Sequence, residues 1–385
     1  MLTIGNPQQS EVSLYFHIPF CTRKCEYCHF YVLPDQNPLK QQLLEGFELE
    51  WRRLLPLLQG RELATIYFGG GTPSLFGPDR ISKVLEWIRT DLPFQSPSIE
   101  VTLEVNPENA SLDLMREYAQ AGINRVSLGI QTLDADLLTL LGRLHSPHRA
   151  IQAVEETYRA GIANISIDLM YDLPRQSLKH WEATLHTIQA LPLSHLSLYN
   201  LTIEPHTLFF KKQQQLRPLL PDEETSLAMY EMAIEKLTEQ GLLQYEISAF
   251  AKPGFYSRHN TGYWTARPFL GFGPSAFSYW QGKRFQNIAH LGKYCAALRL
   301  DKSPVDFEEQ LDPEAHRQEL LVIQLRLSCG VQIHEFQKRH GLLNAETKTS
   351  IERLIHQGFL HKQADCLKLT KKGVLFYDTV ATELI

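Results

Sequence analysis

Short apolar runs alternate with longer amphipathic segments over the first half of the chain. The runs Leu14–Ile18, Thr65–Phe68, Ile99–Val105, Arg125–Ile130, Ile165–Met170 and Leu196–Leu201 are rich in Val, Ile, Leu, Tyr and Phe. Most are too short for helices and read as strands. Between them Leu39–Leu58, Asp79–Arg89, Leu112–Ala121 and His148–Ala160 carry a helical pattern, and Ala121-Gly122 and Ala160-Gly161 each punctuate a helix before a strand. Repeated strand–helix units imply an α/β fold with a parallel sheet under helices. Six such units build a partial (β/α)6 barrel, in which ligands gather at the C-terminal ends of the strands.

The rhythm changes after Pro205. Asp222–Gln240 reads as a helix ending at Gly241, followed by a Gly-, Pro- and aromatic-rich stretch from Tyr245 to Tyr279. The run Lys211–Gln215 reads as a solvated helix or loop. From about Ser303 the pattern turns helical, and Ile333–Leu342, Ile351–Leu360 and Leu367–Leu369 suggest helix, helix and hairpin, as in a winged-helix-like module. Three parts follow: a core over 1–210, an extension over 211–302, and a smaller α-rich, winged-helix-like C-terminal domain over 303–385. A chain of 385 residues is long enough for more than one domain.

Hydrophobic residues make up 43% and charged residues 21%, ordinary for a globular protein. A net charge of -5 leaves no basic footprint, which argues against nucleic acid as a partner. Met1–Ser10 is short and polar, unlike a signal peptide, and no apolar stretch approaches a membrane span. A cytoplasmic protein is expected, with any membrane contact peripheral. Of the six cysteines, Cys21, Cys25 and Cys28 crowd together while Cys295, Cys329 and Cys366 stand alone, a usage that fits reduced thiols.

Cys21-Thr-Arg-Lys-Cys25-Glu-Tyr-Cys28 follows the strand-like Tyr15–Phe20. This spacing lets one loop wrap three thiolates around an iron–sulfur cubane, leaving one iron open. A zinc site, with His29 as an adjacent fourth ligand, and three unligated thiols are the alternatives. One strand–helix unit later comes Tyr67-Phe68-Gly69-Gly70-Gly71-Thr72-Pro73, where bare backbone admits a ligand. It lacks the Gly-Lys-Ser/Thr ending of a phosphate loop. Glu104, Gln131, Arg143 and Asp168 mark later strand ends. A carboxylate in an apolar strand must find a partner: a ligand's hydroxyl and amino groups, or an internal pair such as Glu104 with Arg143.

The cysteine loop and its strand context resemble the radical S-adenosylmethionine (SAM) superfamily. Residues from Tyr15 to about Tyr294 resemble the oxygen-independent coproporphyrinogen III oxidase (HemN) family, and within it the HemW-type haem chaperones. The resemblance implies a [4Fe–4S] cluster on Cys21, Cys25 and Cys28, whose open iron chelates SAM. It also implies SAM contacts from Tyr15, Tyr27, Gly70, Gly71, Thr72, Glu104, Gln131, Arg143 and Asp168.

Two features separate the related functions. The oxidase pattern has a further cysteine where this chain has Phe30, and His259-Asn-Thr-Gly-Tyr263-Trp264 matches the His-Asn-x-x-Tyr-Trp motif of the chaperone group. The resemblance therefore implies binding of haem, with His259 as its candidate ligand, and transfer to acceptor haemoproteins, with peripheral contact at a membrane surface. A hydrogen-bonded core role for His259 is the alternative. The competing function is radical decarboxylation of coproporphyrinogen III propionates to vinyls. The chain departs from the family at Asp172, Arg175 and His206, where glycines are usual, and at Phe277, where histidine commonly stands. Losing glycine removes easy access to positive φ, so reshaped loops are expected there. Arg284, Asn287 and Tyr294 match the family and read as structural or tetrapyrrole-facing.

Overall fold

A computed structural model describes residues 11–92 and 99–385. The expected polar N-terminus, Met1–Ser10, lies outside the described residues. The six expected strands form as β1 (Glu11–Ile18), β2 (Glu62–Gly70), β3 (Glu100–Val105), β4 (Arg125–Gln131), β5 (Asn164–Tyr171) and β6 (His195–Asn200). They pair in parallel in that order. Most of their residues are buried, as expected of a parallel sheet covered on both faces. Helices Asn37–Leu58, Pro78–Asp91, Leu112–Ala121 and Pro147–Arg159 occupy the expected places. The helix Leu112–Ala121 starts where Ser111 accepts from Leu114 N and stops at Gly122, whose φ is 113°.

The barrel is partial and the sheet stays open. Its strands continue with β7 (Leu243–Glu246), β8 (Ala249–Ala251), β9 (Phe269–Phe272), β10 (Phe277–Trp280), β11 (Lys283–Asn287) and β12 (Val305–Gln310). Among the described residues the order is β12-β11-β10-β9-β1-β2-β3-β4-β5-β6-β8-β7. β9 runs parallel to β1, while β8 and the β10–β12 meander are antiparallel.

These flanking strands add to the sequence reading in one place and correct it in another. The aromatic stretch Tyr245–Tyr279 is largely structured, with β8, β9, β10 and the helix Arg258–Trp264 inside it. The helical pattern expected from Ser303 begins instead at Pro313, because residues 305–310 pair with β11. From there Pro313–Leu325, Ile333–His340, Ala345–His356 and the hairpin Leu360–Gln363/Cys366–Leu369 surround a separate small core that includes Leu321, Leu354, Leu367 and Val380.

The glycine departures do not reshape their loops. Asp172, Arg175 and His206 keep left-handed backbone with φ of 67°, 67° and 66°. Each costs on the order of 1 kcal/mol, and hydrogen bonds with distant segments hold the first two. Asp172 Oδ2 accepts from Asn200 and Ser226, and Arg175 N donates to Leu219 O at 2.6 Å.

Glu50, buried on the first long helix, ties that helix to the far side of the sheet. Its carboxylate accepts from Gly273 N at 2.8 Å, Asn287 Nδ2 at 2.7 Å and the Tyr294 hydroxyl at 2.6 Å. Asn287 and Tyr294 are therefore structural. Burial pushes the Glu50 carboxyl from an ordinary 4.5 up to about 7, against the pull of those three donors. A carboxyl raised in the folded state keeps a proton that the unfolded chain releases. Its contribution to stability is full below about pH 4.5 and is lost as pH rises towards 7. Wild-type melting temperature should therefore fall more steeply across that window than that of Glu50→Gln. Glu50→Ala, which strands three donors, should cost about 3 kcal/mol or more in chemical denaturation.

Candidate functional site

At the C-terminal ends of β1–β5 the strands open into a cleft of about 450 Å³. The loop after β1 brings Cys21, Cys25 and Cys28 to its wall. The glycines after β2 let this loop sit down on the sheet edge. Gly70 has φ 122°, and a Cβ on Gly71 would lie 2.7 Å from Phe20 O and 2.9 Å from Cys21 Sγ. Gly71 N donates to Ile18 O at 2.9 Å and Thr72 N to Phe20 O at 2.7 Å. The Thr72 hydroxyl then reaches Cys21 Sγ at 3.6 Å.

Glu104 does not pair with Arg143. Its carboxylate accepts from the Tyr67 hydroxyl at 2.7 Å and from Gly70 N at 3.0 Å. Burial nevertheless raises its carboxyl to about 7, with the neighbouring Asp168 pushing the same way. Asp168 is itself raised by burial and is steadied by the hydroxyls of Ser197 and Ser127. Arg143 Nη2 donates to Asn106 Oδ1 at 2.8 Å and Nη1 approaches Cys25 Sγ at 3.5 Å, while its Nε is buried without a partner among the described residues. Two partly satisfied carboxyls, an incompletely paired guanidinium and three thiols thus face one space.

Eight of the nine expected SAM residues line this cleft: Tyr27, Gly70, Gly71, Thr72, Glu104, Gln131, Arg143 and Asp168. Tyr15 does not. Its hydroxyl lies 3.0 Å from His17 Nδ1, and its ring faces a second cavity of about 690 Å³. Sequence reasoning missed Asn106, which donates to Thr72 Oγ1 at 2.9 Å while accepting from Arg143, and so links the glycine loop to the arginine. Its place immediately after β3, at a strand end, was the available signal.

The second cavity lies between the sheet and the helix Pro313–Leu325, and His29 and Phe30 line both spaces. Its wall is mainly aromatic, with Tyr31, Tyr263, Trp264, Phe269, Phe277 and Tyr279. Arg284 borders it, held by Glu309 and Glu319. Phe277, at the position of an expected histidine, is exposed on this wall.

His259 requires a correction. It is 1% exposed and lines neither space. Its Nδ1 lies 2.7 Å from Thr65 Oγ1 and its Nε2 lies 2.8 Å from the Tyr263 hydroxyl. The Thr65 hydroxyl donates to Ser13, so it accepts from Nδ1–H; Nε2 then accepts from Tyr263, and its lone pair is taken. Burial lowers the imidazole to about 3 and keeps it neutral. The expected haem ligand is a satisfied core histidine.

Comparison with known proteins places this geometry. Residues 15–188 match the radical SAM superfamily, a span that takes in the three cysteines and all eight cleft residues, and 311–376 match the HemN C-terminal domain. The chain is 33% identical over 369 residues to the heme chaperone HemW of Bacillus subtilis (strain 168), covering 96% of this chain and 97% of that protein. The chain belongs to the HemW heme chaperone family. Heme chaperone HemW of Haemophilus influenzae is 35% identical over 383 residues, with 96% and 97% covered. The fold of the family extends to a solved structure, the coproporphyrinogen III oxidase HemN of Escherichia coli. That match has a TM-score of 0.84 at 23% identity, covering 97% of this chain and 89% of that one.

The three thiols fit the cubane that radical SAM membership implies. A cubane takes its thiolates at separate irons, and all three thiols line one cleft. Cys21→Ala, Cys25→Ala and Cys28→Ala should each reduce cluster iron and sulfide after anaerobic reconstitution to background. Cys295→Ala, on the buried side of helix Leu291–Arg299, should retain them. Equal loading in all four would remove the cleft as the metal site.

Proposed function

We propose that this protein binds haem beside a cluster-and-SAM cleft and passes it to acceptor haemoproteins in the cytoplasm. One observation carries the reading: an aromatic cavity of about 690 Å³ shares the His29–Phe30 wall with the three-cysteine cleft. Its size suits a cofactor-sized ligand, and its flat rings suit a macrocycle. The relatives' description as heme chaperones points the same way.

In this reading Cys21, Cys25 and Cys28 hold the [4Fe–4S] cluster, which supplies one-electron chemistry and an open iron for SAM. The chain's own residues bind and orient SAM. Gly70 and Gly71 offer backbone, Arg143 faces the carboxylate, and Glu104 and Asp168 accept from hydroxyl and amino donors. No described helix is long and apolar enough to cross a membrane.

Titration of the reconstituted protein with haemin should give a saturable Soret change; a linear, non-saturating response would end the reading. Glu104→Gln should weaken SAM binding on the order of tenfold, about 1.4 kcal/mol, with cluster iron unchanged. Equilibrium dialysis against labelled SAM measures this.

The same adjacency supports a second reading, radical decarboxylation of coproporphyrinogen III. Anaerobic incubation with SAM and reductant would then yield protoporphyrinogen.

A further inference from the structure

The geometry points to His29 as the axial iron ligand of haem in the aromatic cavity, with His259 as a positioning residue. The inference rests on the haem-binding reading and adds the atom that holds the iron.

Elimination among the side chains on the cavity wall leads to His29. Protein ligands to haem iron are imidazole, thiolate, thioether or phenolate, and among the described residues no Cys or Met lines this cavity. The tyrosine hydroxyls are engaged: Tyr15 with His17, Tyr31 with Leu291 N, Tyr263 with His259 and Tyr279 with His316. His17 is buried, with Nδ1 against Tyr15 and Nε2 3.5 Å from Tyr31 O. His29 alone on this wall has two ring nitrogens with no hydrogen-bond partner among the described residues. It is exposed, and its ring is 4.5 Å from that of Phe30. It can offer a lone pair to iron without breaking an existing bond.

The rest of the wall suits the remainder of the ligand. Trp264 Nε1 is a buried donor on this wall with no partner among the described residues, suited to a carboxylate group at the edge of a macrocycle. His259 acts at one remove. Its Nε2 accepts the Tyr263 hydroxyl, holding the Tyr263 ring, which meets Phe269 edge-on at 4.6 Å. The motif from His259 to Trp264 thus supplies cavity wall, and the ligand comes from the cysteine loop. Coordination forms one iron–nitrogen bond and needs no oxidant or reductant.

The test uses the anaerobically reconstituted full chain, titrated with ferric haemin and read by electron paramagnetic resonance and magnetic circular dichroism. Cluster iron is assayed in every sample. Wild type should show a nitrogen-ligated haem. His29→Ala should lose that signature and bind on the order of tenfold more weakly, and added imidazole should restore it. His29→Met should replace the nitrogen signature by a thioether one, a gain that general damage to the loop would not produce. His259→Ala should lower stability and weaken binding while keeping the nitrogen signature. Retention of the wild-type signature in His29→Ala and His29→Met, or its loss in His259→Ala alone, would overturn the assignment. Wild type that binds no haem saturably would instead overturn the haem-binding reading beneath it.

Discussion

The cysteine loop rests on the sheet edge through backbone, and the rest of the site depends on that contact. Gly71 lies against Phe20 O and Cys21 Sγ at distances that leave no room for a Cβ. Two main-chain hydrogen bonds, Gly71 to Ile18 and Thr72 to Phe20, then fix the loop's height above the strands. A methyl group at Gly71 would lift the loop and carry the three thiols away from Arg143 and Thr72. The same seat sets Glu104, because Gly70 N is one of its two donors. One close approach therefore positions both the metal-binding and the carboxylate side of the cleft.

The seated loop also decides where the second cavity lies. Past Cys28 the chain runs along the wall between the two spaces, so His29 and Phe30 face both. A ligand in the aromatic cavity would sit one residue from a cluster ligand. This proximity is a property of the loop's length and needs no motion to bring it about. Phe30, in place of the further cysteine of the oxidase pattern, adds a ring to the wall rather than a fourth thiol to the cleft.

The central strands and most of the cleft were legible in the sequence because short apolar runs alternating with amphipathic helices leave a strong rhythm. Strands such as Phe269–Phe272 and Phe277–Trp280 are too short to show one, and their pairing with distant segments decides their conformation. Val305–Gln310 carries charged residues at an edge, which hid it among helical patterns. Tyr15 shares a sheet face with Tyr67 and Glu104, but its ring packs on Tyr67 and its hydroxyl meets His17, so it lines the second cavity instead of the cleft. His259 matched a motif, but a motif cannot reveal that Thr65 and Tyr263, remote in one case and a helical turn away in the other, occupy both its nitrogens. The left-handed residues Asp172, Arg175 and His206 show the same limit. Local preference argued for altered loops, and at Asp172 and Arg175 tertiary hydrogen bonds kept the backbone in place.

The C-terminal unit completes the aromatic cavity. Glu319, Leu320 and Ile323 from helix Pro313–Leu325 line one side of it, and a small set of contacts docks that helix. Arg326 reaches Glu246 at 3.3 Å and lies 4.3 Å over the Trp264 ring, Ser328 N donates to Tyr245 O at 2.9 Å, and Arg284 joins Glu319. The Arg326–Glu246 pair is largely buried, so its main effect is to specify where the unit docks, since desolvation offsets much of the attraction. Trp264 is central to this arrangement. One face carries Arg326 of the C-terminal unit, and the same side chain lines the cavity with an Nε1 that has no partner among the described residues. Docking of the C-terminal unit and the shape of the cavity are thus set by the same indole, and a change in either is felt by the other.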